Sequence, residues 1–436
     1  LILLIGWLLV WVMGYQVAEG FTPIGHEFAW PQVTPHHALL ARFKAQIPPR
    51  APGSVTTGLY PHLSHREKLY MFPAIGDAEW VLLDVTGPTA MHPADLKRRY
   101  EEVVNILGFA VQDAADGYVL LVRGSGPATL PAAFYDFARA PQARPQYPAD
   151  IRFGNNLRFL GYDLVDDGKW GVTALRTYWQ ALNPLPAGVR PWPFFVGPDG
   201  KVVEDMTDRP APALLWYPPE RWRVGETIAV QTLPWYLPAR WAVAVGALNG
   251  PAWADAAARW SARCESCAGA TLLADDTWAR LGIYRRNGRA LETVSPDARG
   301  TPSYPLRADF ADSITLLGYD VNPSPARAGD AVEVVFHWQA QTTPGQDYNV
   351  FVHLRDTANV NVAQADGIPS WYGPQPTTSW PPGKTMLDAH VLILPKTLPP
   401  GRYRLVAGLY DWRTQARLPL AAGGDEVELA TLAVLK

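Results

Sequence analysis

The chain begins with a continuous run of apolar side chains. Leu1 to Tyr15 carries no charge, and no initiator Met precedes it. A helix of that length spans roughly 22 Å, which is short of a hydrocarbon core of about 30 Å. Trp7, Trp11 and Tyr15 lie toward the end of the run, as aromatic residues do at membrane interfaces. The pattern predicts a truncated last transmembrane helix over residues 1–19.

Two other interpretations of this run stay open. A secretory signal peptide would have a basic start and a small-residue cleavage site, and the sequence offers neither. A buried core helix is compatible with the length of the run. The aromatic residues favour the membrane helix over both.

An amphipathic helix is predicted within a juxtamembrane segment over residues 20–49. Thr34 is a suitable N-cap and Pro35 suits the first helical position. Leu39, Leu40 and Phe43 form one apolar stripe. The helix is expected to end near Ile47.

Residues 50–125 alternate between strand and helix patterns, which predicts a small α/β domain. The predicted elements are strands at Ser54–Tyr60, Lys68–Phe72 and Trp80–Asp84, a helix over Pro93–Leu107, and a hairpin of Phe109–Gln112 with Tyr118–Arg123. Residues 126–150 are rich in proline and read as a stiff linker.

The remainder of the chain repeats itself at an almost constant offset. The matching segments are Leu160–Asp163 with Leu317–Asp320, Tyr178–Ala181 with His337–Ala340, Trp216–Pro219 with Trp371–Pro374, Trp222–Gly225 with Trp380–Gly383, and Leu237–Leu248 with Leu398–Tyr410. Such a series indicates a tandem duplication of a domain rather than a short solenoid repeat.

Each copy alternates apolar and polar residues in runs separated by turn residues. This is typical of an antiparallel β-sandwich, immunoglobulin-like or jelly-roll-like. Copy 1 is assigned to residues 151–290, a linker to 291–304 and copy 2 to 305–436. The predicted fold class is therefore a membrane helix remnant, a small α/β domain and two tandem antiparallel β-sandwich domains.

Composition and charge narrow the function. The net charge is −3 and the isoelectric point is near 6.3, so no basic face is expected and nucleic-acid binding is disfavoured. The chain contains 42 prolines and 36 glycines, which favours many short strands over long helices. Its aromatic content disfavours disorder.

Both cysteines, Cys264 and Cys267, lie in a segment of copy 1 that has no counterpart in copy 2. The stretch offers no further zinc ligands and lacks the βαβ setting of a redox motif. We expect a local disulfide or a free pair, with the disulfide favoured if this part of the chain lies outside the cytoplasm.

His62, His65 and Arg66 form the densest polar cluster, with Asp77 and Asp84 nearby in sequence. Two histidines with a carboxylate could form a metal or acid–base site, but no HExxH-type motif surrounds them. The alternative is structural, with these side chains bonded to backbone around a tight crossing. No metal site, cofactor or catalytic residue is assigned.

Two loops that occupy matching places in the copies carry adjacent aromatic residues followed by proline. Trp216 and Tyr217 in copy 1, and Trp371 and Tyr372 in copy 2, are candidate ligand-binding residues because exposed aromatic faces on a sandwich rim stack on sugar rings. The alternative is a rigid loop whose aromatic side chains fold back onto the sheet.

The first part of the chain resembles a bacterial family of predicted polytopic membrane proteins, unknown-function family 2079. The resemblance covers roughly residues 1–125 and rests on segments found in the same order, Ile47–Pro49, Pro61–Pro73, Trp80–Asp84 and Gly117–Arg123. That family is similar to membrane glycosyltransferases that use lipid-phosphate-linked sugars. Their acidic catalytic residues lie in an early extracytoplasmic loop that this sequence does not contain, so no catalytic residue is carried over.

Copy 2 looks like modules appended to such glycosyltransferase-like proteins. The segments that carry this likeness include Phe351–Leu354, Gln364–Asp366, Thr378–Gly383, Leu398–Arg404 and Arg417–Leu420. Copy 1 departs from the pattern, because Asp388 has no clear counterpart there. The resemblance implies that this region lies outside the cytoplasm at a bacterial cell membrane.

The leading functional interpretation is the extracytoplasmic C-terminal region of a polytopic membrane glycosyltransferase-like protein. Its sandwiches would bind or position a glycan, a lipid-linked sugar or another envelope partner, without catalysis in this part of the chain. One alternative is a purely structural scaffold attached to the membrane. Another is a hydrolase or metal site around His62 and His65.

Overall fold

The computed structural model describes residues 2–20, 23, 33–266, 270–273, 275–295 and 301–436. The chain divides into two compact units. The first comprises Leu1–Ala90 and Arg99–Phe134, and the second comprises Met91–Arg98 and Tyr135–Lys436.

Five α-helices are described. They are α1 Ile2–Glu19, α2 Pro35–Lys44, α3 Tyr60–Leu63, α4 Pro93–Asn105 and α5 Pro212–Trp216. None of the helices in the described part of the chain combines the length and apolarity needed to cross a membrane. The expectation of a transmembrane helix over residues 1–19 is therefore not confirmed.

Helix α2 starts where the sequence predicts. The side-chain oxygen of Thr34 accepts a hydrogen bond from the backbone N–H of His37, and the His37 ring in turn accepts from the Thr34 N–H. This reciprocal arrangement satisfies two backbone donors at the helix start. The single fully buried side chain of α2 is Phe43.

A five-stranded mixed sheet forms the centre of the first unit. Its strands are β1 Gly53–Val55, β2 Leu69–Met71, β3 Trp80–Asp84, β4 Phe109–Ala115 and β5 Tyr118–Arg123. They are ordered β2-β1-β3-β5-β4, with β1 parallel to both of its neighbours. Every residue of β3 is buried, as its continuous apolar run predicts.

Two predicted boundaries in this unit are wrong. The strand expected over Ser54–Tyr60 ends at Val55, because Pro61 occupies the first turn of α3, where a fixed φ and a missing N–H favour a helix. The hairpin turn is shorter than expected, since β4 continues to Ala115. Asp116 and Gly117 form a two-residue turn with φ of 48° and 83°, the left-handed conformation that tight hairpins require.

Copy 1 of the repeat consists of two antiparallel sheets. The strands are β6 Tyr147–Phe153, β7 Leu157–Asp167, β8 Val172–Ala181, β9 Val189–Val196, β10 Val202–Glu204, β11 Thr227–Gln231, β12 Trp235–Tyr236, β13 Arg240–Asn249, β14 Ala262–Ser266, β15 Thr271–Leu272, β16 Trp278–Asn287 and β17 Ala290–Val294. One sheet is ordered β11-β8-β7-β6-β14 and the other β10-β9-β13-β16-β15. β12 pairs with β8, and β17 pairs with β16.

Copy 2 also consists of two sheets. The strands are β18 Tyr304–Phe310, β19 Ile314–Asn322, β20 Ala326–Arg327, β21 Ala331–Ala340, β22 Asn349–Arg355, β23 Asn361–Gln364, β24 Thr385–Ile393, β25 Gly401–Tyr410 and β26 Val427–Leu435. The sheets are ordered β18-β19-β21-β24 and β20-β26-β25-β22-β23. One apolar core joins them, with Phe336 and Trp338 from the first sheet and Val352 and Leu405 from the second.

The strand orders of the two copies match. β6-β7-β8-β11 corresponds to β18-β19-β21-β24, and β10-β9-β13-β16 corresponds to β23-β22-β25-β26. Both predicted linkers are shorter than expected, because β6 begins at Tyr147 and β17 extends to Val294. The molecule is thus mostly β-sheet and contains two tandem β-sandwiches.

The repeated Leu-Gly-Tyr-Asp motif has a structural role. Gly161 and Gly318 lie at matching β-bulges with φ of 133° and 153°. A Cβ at these positions would lie 2.4 Å from the carbonyl oxygen of Tyr147 and 2.7 Å from that of Tyr304. Only glycine therefore permits the adjacent strand to approach this closely.

The aspartate of the motif fastens the same two strands in each copy. Asp163 accepts hydrogen bonds from the Gln146 backbone N–H at 2.6 Å and from the Tyr178 hydroxyl at 2.6 Å. In copy 2 the corresponding aspartate is Asp320, which accepts from the Ser303 N–H at 2.8 Å and contacts the His337 imidazole. The position of Tyr178 in copy 1 is thus taken by a histidine in copy 2.

Candidate functional site

The structure does not gather His62 and His65 into a site. Both side chains are exposed, whereas Arg66 is half-buried. The Arg66 guanidinium donates to the carbonyl oxygens of Pro48 at 2.6 Å and Pro49 at 3.3 Å, and lies 5.1 Å from the Trp80 ring centroid. This is the role that the structural interpretation predicts for the arginine.

The nearby acids have other partners. Asp77 bonds to Lys68 at 2.6 Å and to the Tyr70 hydroxyl at 2.7 Å, and Asp84 contacts His36. Among the residues that the structure describes, no group of three or more His, Cys, Asp or Glu side chains could hold a metal ion.

The paired aromatic loops are buried rather than presented on a rim. The exposed fractions are 2% for Trp216, 3% for Tyr217, 7% for Trp371 and 0% for Tyr372. Rings this enclosed offer no open face to a sugar, so the interpretation of these four residues as a stacking surface is corrected. The alternative, a rigid loop whose aromatic side chains fold back onto the sheet, is compatible with their burial.

In copy 1 the loop packs against the segment that precedes the sandwich. The Tyr217 ring stacks on Tyr135 with centroids 4.8 Å apart, and its hydroxyl donates to Glu226 at 2.7 Å. The Trp222 indole N–H donates to the Tyr217 carbonyl oxygen at 2.8 Å.

In copy 2 the same loop packs against copy 1. The Tyr372 N–H donates to the Pro198 carbonyl oxygen at 2.8 Å, and Arg280 donates to the Trp371 carbonyl oxygen at 2.7 Å. The Arg240 guanidinium lies 5.9 Å from the Trp371 ring centroid. The loop therefore joins the two sandwiches.

Cys264 lies on β14 and is disulfide-bonded. Cys267, the other half of the predicted Cys264–Cys267 pair, falls outside the described residues.

A cleft of about 960 Å³ lies beside this junction, between the two sandwiches. Copy 1 contributes the turn after β9, the start of β13 and the end of β16. Copy 2 contributes the end of β19, one face of β21 and part of β24. Sequence patterns gave no signal for this cleft, because its walls are far apart along the chain.

Each basic side chain that lines the cleft is already paired with a carboxylate. The pairs are Lys201 with Asp199 at 3.2 Å, Arg285 with Glu292 at 2.6 Å, His337 with Asp320 at 2.8 Å, Arg240 with Glu333, and Arg286 with Asp166. The charges in the cleft are therefore largely balanced within these pairs.

Glu333 is a half-buried carboxylate in the wall of the cleft. Burial raises its pKa, and the negative charges of Asp199 and Asp320 act in the same direction, while Arg240 opposes the shift. The Arg240–Glu333 ion pair also connects β13 of copy 1 with β21 of copy 2.

A second polar cluster, in the first unit, was not predicted. The two ring nitrogens of His36 lie 2.8 Å from Asp116 and 3.2 Å from Asp84, and the ring stacks on Tyr118 at 4.4 Å. Because each nitrogen faces a carboxylate, the ring is a doubly protonated imidazolium. Burial alone would lower the pKa of His36, but the two aspartates raise it to about 9.

The carboxylate of Asp84 is also held by hydrogen-bond donors other than His36. Its other oxygen accepts from the Thr86 N–H at 2.9 Å, the Thr86 hydroxyl at 2.8 Å and the Gly87 N–H at 3.0 Å. This arrangement fastens the first turn of α2 to the end of β3 and to the β4–β5 turn. Its chemistry is that of an ionic clamp.

Comparison with known proteins does not assign the chain to a family. No protein-family model matches the chain, and no curated protein matches it. Solved structures that are similar in part include the following three. Two are glycosyl hydrolase family 2 members from Bacteroides cellulosilyticus, at 12% and 13% identity, each with a TM-score of 0.20. They match 60% and 69% of this chain.

The third structure is described as a membrane-anchored protein from Corynebacterium diphtheriae, with 12% identity, a TM-score of 0.16 and 74% of this chain covered. The matches span 28% and 30% of the two hydrolases and 65% of the third protein. At these TM-scores none of them supports a statement about this chain.

Proposed function

We propose that the two sandwiches form a non-catalytic module that holds a glycan or another cell-envelope partner in the cleft between them. The observation that carries this proposal is the cleft itself. Its volume of about 960 Å³ is at the upper end of the range for small-molecule sites. Its walls contain both polar groups and apolar side chains, which a hydroxyl-rich molecule with C–H faces can contact together.

The carboxylates of the cleft favour binding over hydrolysis. A glycosidase uses two acids, one to protonate the leaving group and one to act as base or nucleophile. Here Glu333, Asp199 and Asp320 are each engaged by a basic side chain. None of the three is placed as a free base beside a second free acid.

We further propose that the module belongs to a polytopic membrane protein related to glycosyltransferases and lies outside the cytoplasm. The sequence resemblance over residues 1–125 supports the first part. The disulfide-bonded state of Cys264 supports the second, because disulfides persist in oxidising compartments.

The test is direct binding. The purified whole chain would be titrated with neutral and acidic cell-envelope polysaccharides by isothermal calorimetry and affinity electrophoresis. We expect saturable binding to at least one of them. Absence of binding across the panel would contradict the proposal.

One observation favours a second function, a structural scaffold. The Trp371–Tyr372 loop joins the two sandwiches and the Trp216–Tyr217 loop joins copy 1 to the segment before it. Such serial contacts would connect the two sandwiches and the segment before them into one continuous structure. A scaffold would bind no polysaccharide, yet its loss would disturb assembly of the full-length protein.

A further inference from the structure

We infer that the cleft selects electrically neutral, hydroxyl-rich ligands over anionic ones such as phosphate-containing polymers or uronates. The inference rests on the proposed function, because it names the chemical class that the same cleft would take. Three features of the cleft support it: the pairing of charges in its walls, the geometry of those pairs and its apolar surface.

The charge balance argues against an anion. Lys201, Arg240, Arg285 and Arg286 are permanent cations at neutral pH, and each has its own carboxylate partner. An anionic ligand that approaches one of these cations also approaches its carboxylate partner, so attraction and repulsion largely cancel. The repulsion is screened least at the least exposed pair, Arg286 with Asp166.

A neutral hydroxyl group is not repelled by the carboxylate of an ion pair. It can donate to a carboxylate oxygen and accept from a guanidinium N–H at the same time, and so adds to an existing ion pair without breaking it. The Arg240–Glu333 pair places a donor and an acceptor side by side across the two copies. On copy 2, the partly exposed carboxylate of Asp320 offers a further acceptor, held in place by the buried His337.

Apolar side chains fill the space between these pairs. Val203 and Val391 are half-buried and line the cleft, with the buried Val335 and Leu387 behind them in its wall. A sugar ring has C–H groups on its faces and hydroxyls on its edge. Apolar surface together with charge-balanced ion pairs therefore suits a sugar better than a phosphate, which has no apolar face.

The experiment compares probes that differ only in charge. The whole chain would be titrated at low ionic strength with oligomers of β-1,4-mannan and of β-1,4-mannuronate, and with the same two forms of other neutral sugars and their uronates. A poly(glycerol phosphate) probe completes the set. We expect binding of a neutral probe at least about tenfold tighter than binding of its uronate counterpart.

Two variants place the binding in the cleft. Val335→Trp would fill part of the space without changing any charge and is expected to weaken neutral binding at least about tenfold. Leu387→Phe is a milder variant of the same kind if the first fails to fold. Val165→Trp is the matched control, because Val165 lies on β7, is exposed and does not line the cleft.

A third variant tests the charge argument itself. Asp199→Asn removes the partner of Lys201 but keeps an acceptor for the Lys201 backbone N–H. It is expected to gain affinity for the mannuronate probe, with a salt dependence that the unaltered chain lacks.

The outcomes separate the two proposals. Tighter binding of uronates or phosphates than of neutral probes would overturn the inference and leave the binding function standing. Neutral binding that Val335→Trp and Leu387→Phe do not weaken would overturn the cleft as its site. No binding of any probe would overturn both.

Discussion

The backbone N–H of Tyr372 donates a 2.8 Å hydrogen bond to the carbonyl oxygen of Pro198, and so links the second sandwich to a turn of the first. Arg280 adds a 2.7 Å bond to the neighbouring carbonyl of Trp371. Both contacts are made by backbone groups of the loop, so they depend on its conformation more than on its side-chain chemistry. The indole of Trp371 then fills the space beside Arg240.

Trp371→Ala is expected to weaken this junction. Truncating a buried tryptophan removes its packing and leaves a cavity, which costs about 3 kcal/mol. The measurement is the urea unfolding midpoint of the whole chain, followed with limited proteolysis between the sandwiches. Tyr372→Phe is the control, because the Tyr372 hydroxyl is buried without a hydrogen-bond partner among the described residues. Its removal should change stability by less than about 1 kcal/mol. Equal midpoints for the two variants would refute the expectation.

Gly161→Ala and Gly318→Ala should each destabilise their own sandwich by at least about 2 kcal/mol. A methyl group at either position would meet a carbonyl oxygen of the adjacent strand, at a φ that side chains rarely adopt. Differential scanning calorimetry would show the loss. Gly345→Ala serves as the matched control, since nothing lies within 4 Å of its added Cβ. A loss as large in the control would show that the bulge is not the cause.

The His36 clamp makes part of the stability of the first unit depend on pH. The folded pKa of about 9 lies above the ordinary value of 6.5, so the protonated form is favoured by folding. Its stabilising contribution is full below about pH 6.5 and is lost as the pH rises through about 9. The difference in unfolding free energy between the unaltered chain and His36→Gln should shrink over that interval.

The matched control for His36 is His62→Gln, a change at an exposed histidine. It should alter the free energy of unfolding by less than about 0.5 kcal/mol at either end of the pH range. A His36→Gln effect that stays constant from pH 6 to pH 10 would count against the clamp.

Arg66→Lys should destabilise the first unit by about 1 kcal/mol. An ammonium group cannot reproduce the fork that reaches the carbonyls of Pro48 and Pro49 while lying over the Trp80 ring. Chemical denaturation followed by tryptophan fluorescence would detect the change. His65→Ala, at the neighbouring exposed position, should have almost no effect. A large effect at His65 with none at Arg66 would revive the idea of a histidine site.

Much of the β-sandwich architecture could be predicted because its signals are local. The Leu-Gly-Tyr-Asp motif recurs because one bulge and one strand clamp are needed twice, and the identity of its residues is fixed by neighbours in the same sheet. The buried strand Trp80–Asp84 was similarly evident from its continuous apolar run. The strand expected over Ser54–Tyr60 was too long. Its β-branched residues favour a strand, whereas the proline that follows favours the start of a helix.

The candidate sites depend on distant residues and could not be predicted in this way. Whether Trp371 faces solvent is decided by a turn at Pro198, far earlier in the chain. His36 meets its two aspartates across 48 and 80 positions. The sequence shows that these residues are polar or aromatic, but it does not show which surfaces cover them.

The aromatic loops make their contacts in the same direction along the chain in both copies. In each sandwich the loop reaches backward, to Tyr135 from copy 1 and to the Pro198 turn from copy 2. The acceptor turn has a counterpart in copy 2, where Asn359 adopts a φ of 65° close to the 75° of Gly200. The two copies are therefore joined head to tail, through a loop of one and a turn of the other, rather than through matching surfaces.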